Sequence, residues 1–376
     1  YSNLLLNEMR DSAKIVAVVD PYAAKAKNYS ELKALGLPFY DTFEEFYKHH
    51  SAELAIISTP INLHCSQTCT ALEHGTNVLC EKPLCALVSE AEEMLAAQKA
   101  SALQVAIGYQ WSFSKAIQEL KRDILAGKFG RALRFKTMVL WPRTRAYYKR
   151  NNWAGALKNA AGEWVLDSPA NNACAHYLHN MLYLLGDSQY QSAKPLSIEA
   201  ELYRANPISN YDTAAFRIYT EKDIELLFYT THASSELIGP IFQYEFENGR
   251  IDLSERGQDI IATFSDGKQK NYGNPDFGAV PAKVENILRA VRDLEEVKCG
   301  LEASLMQTIC INEAMNSCPT IQEFPKELLY TSEGQENPQI IVKGLTEIMK
   351  NAWKNNCLPN ENEKLEWLIK TKKISI

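Results

Sequence analysis

Four short apolar runs separated by helical stretches restrict the first third of this chain to one kind of sheet. They are Ile15-Val16-Ala17-Val18-Val19, Leu54-Ala55-Ile56-Ile57-Ser58-Thr59, Asn77-Val78-Leu79-Cys80-Glu81 and Gln104-Val105-Ala106-Ile107-Gly108-Tyr109. Apolar residues on consecutive positions mark strands covered on both faces, as parallel strands are. Helical periodicity fills the gaps: Tyr22 to about Leu35, Thr42 to about His49, Leu63 to His74, and Ser89 to about Ala100. This alternation predicts a doubly wound parallel sheet with right-handed crossovers, an α/β domain over residues 1–110.

The polar residues of these runs gather at their carboxyl ends, where open α/β sheets bind ligands. Asp20-Pro21 closes the first run, Ser58-Thr59-Pro60 the second, Glu81-Lys82-Pro83 the third, and Gln110 follows the fourth. A dinucleotide fold places an acid at the end of its second strand to bind a ribose, about 20 residues past a glycine-rich turn. Asp20 occupies that position, which puts the turn and the first strand before residue 1; no G-x-G-x-x-G occurs in the chain. Plainer readings are a turn residue before proline for Asp20 and a surface ion pair for Glu81-Lys82.

At 376 residues the chain can hold two domains. A net charge of −6 argues against nucleic acid as a partner, and no apolar run reaches the length of a membrane span. The nine cysteines are odd in number and sit in apolar segments, as reduced core thiols do; Cys65 and Cys69 are read this way, and no metal site is expected. The expected location is the cytoplasm, although a chain opening on Tyr1 leaves a removed leader open.

From Arg131 the pattern changes to β-rich runs: Arg131–Trp141, Ile198–Tyr203, Ala214–Thr220, Ile224–His232 and Phe242–Phe246, with turns at Glu221-Lys222-Asp223 and Asn248-Gly249. Residues 111–376 are therefore expected to form an α+β domain on a large, mostly antiparallel open sheet. Lys283 to about Asn316 reads as helix, and the tail from Gln339 as helix or strand. Asn171 to Gly186 is one amphipathic helix whose spacing puts Asn172, His176 and His179 on one face. An imidazole titrates near neutral pH, so His176 suits general acid/base work, although core histidines are common on such helices. Trp141, Arg143, Tyr148, Arg150 and Trp153 crowd one segment, a composition that suits sugar contacts or a subunit interface.

In order and spacing, these pieces resemble the Gfo/Idh/MocA family of nicotinamide-dependent oxidoreductases. The resemblance rests on Val18-Val19-Asp20-Pro21, Ser58 to His64, Cys80-Glu81-Lys82-Pro83-Leu84, Gly108-Tyr109-Gln110 and Ile124 to Gly130. It implies a Rossmann domain, bound NAD or NADP, and hydride transfer with a sugar, polyol or sugar derivative; the Asp20 charge favours NAD over NADP. By position, Asp20, Ser58, Thr59, Pro60, Asn62, His64, Glu81, Lys82 and Gln110 would hold the cofactor. Lys82 and His176 would be catalytic, with Asn172 and His179 among the substrate contacts. The family carries an acid, four residues later a histidine, and three later a second acid; here Asn172 and His179 replace the acids. An NAD-dependent glycosidase with retained cofactor, a non-catalytic nucleotide or sugar binder, and a purely structural protein are the rival expectations. A homodimer or homotetramer through the open sheet is the expected assembly.

Overall fold

Val78, Leu79 and Cys80 of β4 (Asn77–Cys80) and all of β5 (Val105–Ile107) are wholly buried in a computed structural model that describes residues 1–332 and 337–376. They pair in parallel with β3 (Leu54–Ile57), in the order β3-β4-β5. The helices α3 (His64–Glu73) and α4 (Val88–Ser101) are the crossovers. The layer is thus the parallel α/β sheet that the alternation predicts, but it is built in two pieces. β1 (Val18–Val19) pairs in parallel only with β2 (Phe39–Tyr40). The expected strand over Ile15–Val19 shortens to two residues because residues 12–17 find no neighbour to pair with among the described residues. A cleft of about 320 Å³ separates Ile15, Val16 and Val19 from Leu54, Ala55 and Ile56. The expected helix after Asp20 also divides, into a 3₁₀ turn at Ala23–Lys25 and α1 (Tyr29–Ala34). Next comes α2 (Phe43–His49), where the Thr42 hydroxyl accepts from Glu45 N and caps the helix.

After α5 (Lys115–Leu125) the chain enters a mostly antiparallel sheet. Its strands are β6 (Ala132–Leu140), β7 (Pro195–Arg204), β8 (Thr213–Thr220), β9 (Glu225–Thr231), β10 (Ile238–Phe246), β11 (Gly249–Leu253), β12 (Ile260–Phe264), β13 (Gln269–Gly273) and β14 (Gln322–Glu323), with the short strand Ile374–Ser375 added antiparallel to β7. The order is β13-β12-β11-β10-β6-β9-β8-β7-β14, with parallel pairs at β6–β9 and β7–β14. Alternation along β6 serves two layers. Phe135 and Val139 join the core beneath α7 (Ala175–Leu185), which follows the short α6 (Arg145–Tyr148). Met138 and Leu140 join a separate cluster on the other face.

The helix expected over Lys283–Asn316 is two helices, α8 (Ala279–Ala290) and α9 (Leu301–Ser317), interrupted where Asp293 adopts a left-handed φ of 56°. Val284 and Ile287 of α8 pack with Val105 and Ile107, so a late segment completes the core of the first domain. The tail gives α10 (Leu345–Asn355) on the outer face of the large sheet. All nine cysteines are free, and no helix among the described residues is long and apolar enough to cross a membrane.

Candidate active site

Lys82 follows β4 and reaches from the parallel sheet to the segment that precedes α7. Its Nζ donates to the carbonyl oxygen of Asn172 at 2.9 Å and to Asn172 Oδ1 at 2.8 Å. Both acceptors are neutral, so burial lowers the ammonium pKa, opposed by the more distant Glu81 and Asp167. Asn172 is itself anchored: its Nδ2 donates to Asp167 Oδ1 at 2.7 Å. Asp167 also accepts from Gly155 N at 2.6 Å and faces Arg150 Nη2 at 3.6 Å. Burial pushes this carboxyl up against those donors.

Asn172 and His176 do not share one regular helix. Residues Pro169–Ala173 form a π turn in which Ser168 Oγ accepts from Asn171 N, and regular α7 begins only at Ala175. The break at Cys174 turns Asn172 toward Lys82. The His176 ring packs edge-on against Tyr109 at 5.8 Å, and its Nδ1 is buried without a hydrogen-bond partner. Burial first, then the charge of Lys82, lowers its pKa to about 3. The imidazole is therefore neutral at ordinary pH.

His179 lies elsewhere. It is 1% exposed, stacks on Tyr109 at 4.0 Å, and places Nε2 3.0 Å from Ser112 Oγ and 3.5 Å from Cys299 Sγ. The single face that helical spacing implied for Asn172, His176 and His179 does not form, because α7 starts after Asn172 and His179 turns into the packing against β5. His64 is likewise a packing residue, with Nδ1 2.8 Å from the carbonyl of Pro83 and Nε2 3.0 Å from that of Thr59. It ties the end of β3 to the end of β4.

The remaining strand-end residues line the same edge. Ser58 is exposed, Thr59 Oγ1 donates to Gln67 Oε1 at 2.7 Å, and Pro60 precedes the 3₁₀ turn Ile61–Leu63. Asn62 Nδ2 donates to Glu163 Oε2 at 2.9 Å, bridging to the loop that carries Asp167. Gln110 opens a 3₁₀ turn after β5. The Asp20 carboxylate follows β1 and accepts from Tyr22 N at 2.7 Å. Glu81 turns from the cleft toward α8, where Lys283 Nζ donates to it at 2.6 Å and the Tyr1 hydroxyl donates as well. Burial raises the Glu81 carboxyl, but Lys283 outweighs it and brings the pKa down to about 2.

The aromatic and basic segment wraps the far side. Arg150 and Arg143 both lie over the Tyr147 ring, at 3.8 and 5.1 Å from its centre. Arg143 also covers Trp141, whose Nε1 donates to the carbonyl of Gly239 at 2.8 Å. Tyr148 Oη is 3.0 Å from His232 Nδ1, and Arg150 is 5.3 Å from the Trp153 ring. Sequence reasoning missed Asp167, Lys283 and His232. An acid set in Val165-Leu166-Asp167-Ser168-Pro169, between apolar residues and a proline, was the available signal for the first. Away from the cleft, the Cys65 and Cys69 thiols and the Glu93 carboxylate lie within 4.8 Å of one another.

A dinucleotide meets suitable chemistry along this edge: an acid after β1, hydroxyls after β3, and an ammonium held only by neutral oxygens after β4. A glycine-rich pyrophosphate turn is not among residues 1–376.

Comparison with known proteins agrees with this layout. Residues 3–109 match the Gfo/Idh/MocA model, described as an oxidoreductase family with an NAD-binding Rossmann fold. The chain is 23% identical over 304 residues to scyllo-inositol 2-dehydrogenase (NADP(+)) IolU of Bacillus subtilis, covering 80% of this chain and 88% of that one. An uncharacterized oxidoreductase of Streptococcus pneumoniae is 29% identical over 46% of this chain, which spans 43% of its length. Only 32% of 2,7-anhydro-N-acetylneuraminate hydratase of Mediterraneibacter gnavus is spanned, at 27% identity over 33% of this chain. Among solved structures, the WlbA dehydrogenase of Bordetella pertussis in complex with NADH and UDP-GlcNAcA shares the fold. Its TM-score is 0.66 at 18% identity, over 82% of this chain and 90% of that one. Levoglucosan dehydrogenase in complex with NADH gives a TM-score of 0.68 at 16% identity, over 81% and 88%. Residues 3–109 are thus similar to the NAD-binding Rossmann domain of the Gfo/Idh/MocA oxidoreductase family, and the solved structures share the fold over most of the chain.

Proposed function

We propose that the protein is an NAD-dependent oxidoreductase acting on a secondary alcohol of a sugar, polyol or sugar derivative. The observation that carries this reading is Lys82, a half-buried ammonium at the end of β4 whose hydrogen-bond partners, both from Asn172, are neutral. Such a group stabilises an oxygen that gains negative charge as hydride leaves its carbon, and the cleft's low polarity strengthens the effect. When bound, NAD supplies the hydride acceptor; Asp20 would hold its adenosine ribose, and Ser58, Thr59 and Pro60 would lie beside it. His176, whose Nδ1 is buried without a partner, is the base that takes the hydroxyl proton. Asp167 is a positioning residue: it holds the Asn172 amide so that the carbonyl oxygen faces Lys82. It also brings a carboxylate into the site, although Asn172 and His179 replace the family's two acids.

The test is to mix the protein with NAD and a panel of polyols, aldoses and sugar acids and follow absorbance of NADH. Accumulation of NADH supports the dehydrogenase. Cleavage of glycosides without net NADH supports the retained-cofactor glycosidase instead, and failure with every compound overturns both.

A further inference from the structure

Among the described residues, Arg143 is a cation without a carboxylate partner in a site otherwise organised by charge. Its guanidinium lies between the Trp141 and Tyr147 rings, 5.4 and 5.1 Å from their centres. Its Nε is buried with no hydrogen-bond partner among the described residues. Among the described residues no side-chain hydrogen bond or ion pair holds it, and its backbone N donates to the carbonyl of His232 at 3.0 Å. A buried donor left unpaired is costly, more so on a charged group, and is a feature that asks for a ligand.

The surroundings indicate which ligand. A continuous line of contacts runs from Lys82 through Asn172 and Asp167 to Arg150, then by the shared Tyr147 ring to Arg143. Arg150 and, at longer range, Lys82 act on the Asp167 carboxylate, whereas Arg143 has no ion pair among the described residues. Arg256 adds a fourth basic group over the outer part of the same Trp141 ring, at 5.0 Å. Asp167 is already engaged by Gly155, Asn172 and Arg150. Neutral sugar hydroxyls would leave the Arg143 charge uncompensated. An anionic group would satisfy it with two parallel hydrogen bonds, a geometry to which the planar guanidinium is suited. The aromatic faces of Trp141 and Tyr147 flank the half-buried guanidinium.

We propose that the substrate of this site carries an anionic group, a carboxylate or phosphate, and that Arg143 binds it while Lys82 faces the reacting alcohol. This deepens the dehydrogenase reading and rests on it for the identity of the reacting end, yet binding can be measured without turnover.

The experiment is calorimetric titration of the full chain, with and without NADH, using D-gluconate against D-glucitol and D-glucose 6-phosphate against D-glucose. At least one anion should bind about 10-fold or more tightly than its neutral partner, the scale of one hydrogen bond to a charged group. Which of the two does so distinguishes carboxylate from phosphate. Arg143→Met should abolish the preference, Arg143→Lys should keep part of it, and added salt should weaken only the anion. The wild-type comparison and its salt dependence stand even where a variant folds poorly. Equal binding of anion and neutral partner, no binding of either, or a preference that survives Arg143→Met overturns the proposal. An anion preference without hydride transfer supports it while overturning the dehydrogenase reading. Hydride transfer to neutral sugars with no anion preference does the reverse.

Discussion

Lys82 donates to Asn172 twice, to its backbone carbonyl and to its side-chain oxygen, so one residue of the second domain holds the ammonium that the first domain presents. Lys82→Met keeps the length and removes both bonds and the charge. Turnover should fall on the order of 10²-fold or more, with NADH affinity changed far less. Steady-state kinetics beside fluorescence titration of NADH checks this. A mutant with near-normal turnover would show that Lys82 only bridges the domains.

His176 and His179 should separate cleanly. His176→Asn should lower kcat by roughly 10²- to 10⁴-fold, the range for loss of a general base. His179→Asn leaves Ser112 and the Tyr109 stack without their partner, and should cost about 1–3 kcal/mol of stability with little change in kcat. Thermal melts and initial rates of both variants measure the two effects. Equal kinetic damage from both would return His179 to the site.

The acid limb of activity should lie well below neutrality. An exposed imidazole would lose activity as pH falls through about 6.5, whereas burial and Lys82 bring His176 down to about 3. Its neutral form then persists across the mildly acidic range, and kcat/KM should stay flat there unless Asp167 or Lys82 titrates. A pH–rate profile in which His176→Asn leaves an existing near-neutral limb untouched would assign that limb to another group.

Folding stability should fall with acid over that same range. His64, His179 and His232 are also held below the ordinary imidazole value, chiefly by burial. Each binds a proton less readily folded than unfolded. The unfolded chain therefore carries more protons between about pH 6.5 and, for His176, about pH 3, and stability drops as pH falls through this window. The slope is up to about 1.4 kcal/mol per pH unit for each imidazole fully protonated only when unfolded. Urea melts at stepped pH values test it, and His179→Asn should flatten the curve.

Cofactor preference should favour NAD(H). The Asp20 carboxylate at the end of β1 would repel a 2′-phosphate, and no arginine adjoins it in sequence. Tighter binding of NADPH than NADH by calorimetry, on a chain shown to bind either, would reject this role for Asp20.

Legibility in the sequence followed the reach of the interactions involved. The end of β4 could be read because a buried apolar run stops abruptly at Glu81-Lys82-Pro83, a local signal. Asp167 carried a local signal as an acid among apolar residues, but its role did not, since that depends on Gly155, on Asn172 and, through Asn172, on a lysine far away in the chain. The break at Cys174 hid in a sequence that is helical on both sides, so Asn172 and His179 seemed to share a face. β11–β13 escaped because their charged, partly exposed residues blur the two-residue alternation, although Asn248-Gly249 marked the first turn. β1 came out shorter than its apolar run because a strand needs a neighbour as well as a propensity.

On the outer face of the large sheet, α10 lays Leu345, Met349 and Ala352 over Met138, Leu140, Leu227 and Tyr229. Lys136 passes into this layer and donates to the carbonyl of Trp353 at 3.1 Å and to Asn356 Oδ1 at 2.8 Å. Self-association through these strands, the expected assembly, would have to displace that helix and strand the lysine. Tail docking and subunit docking are thus rivals for one surface, linked by mass action. Light scattering of the full chain beside one cut before Leu345 should show the shortened chain associating or precipitating at concentrations where the full chain does not.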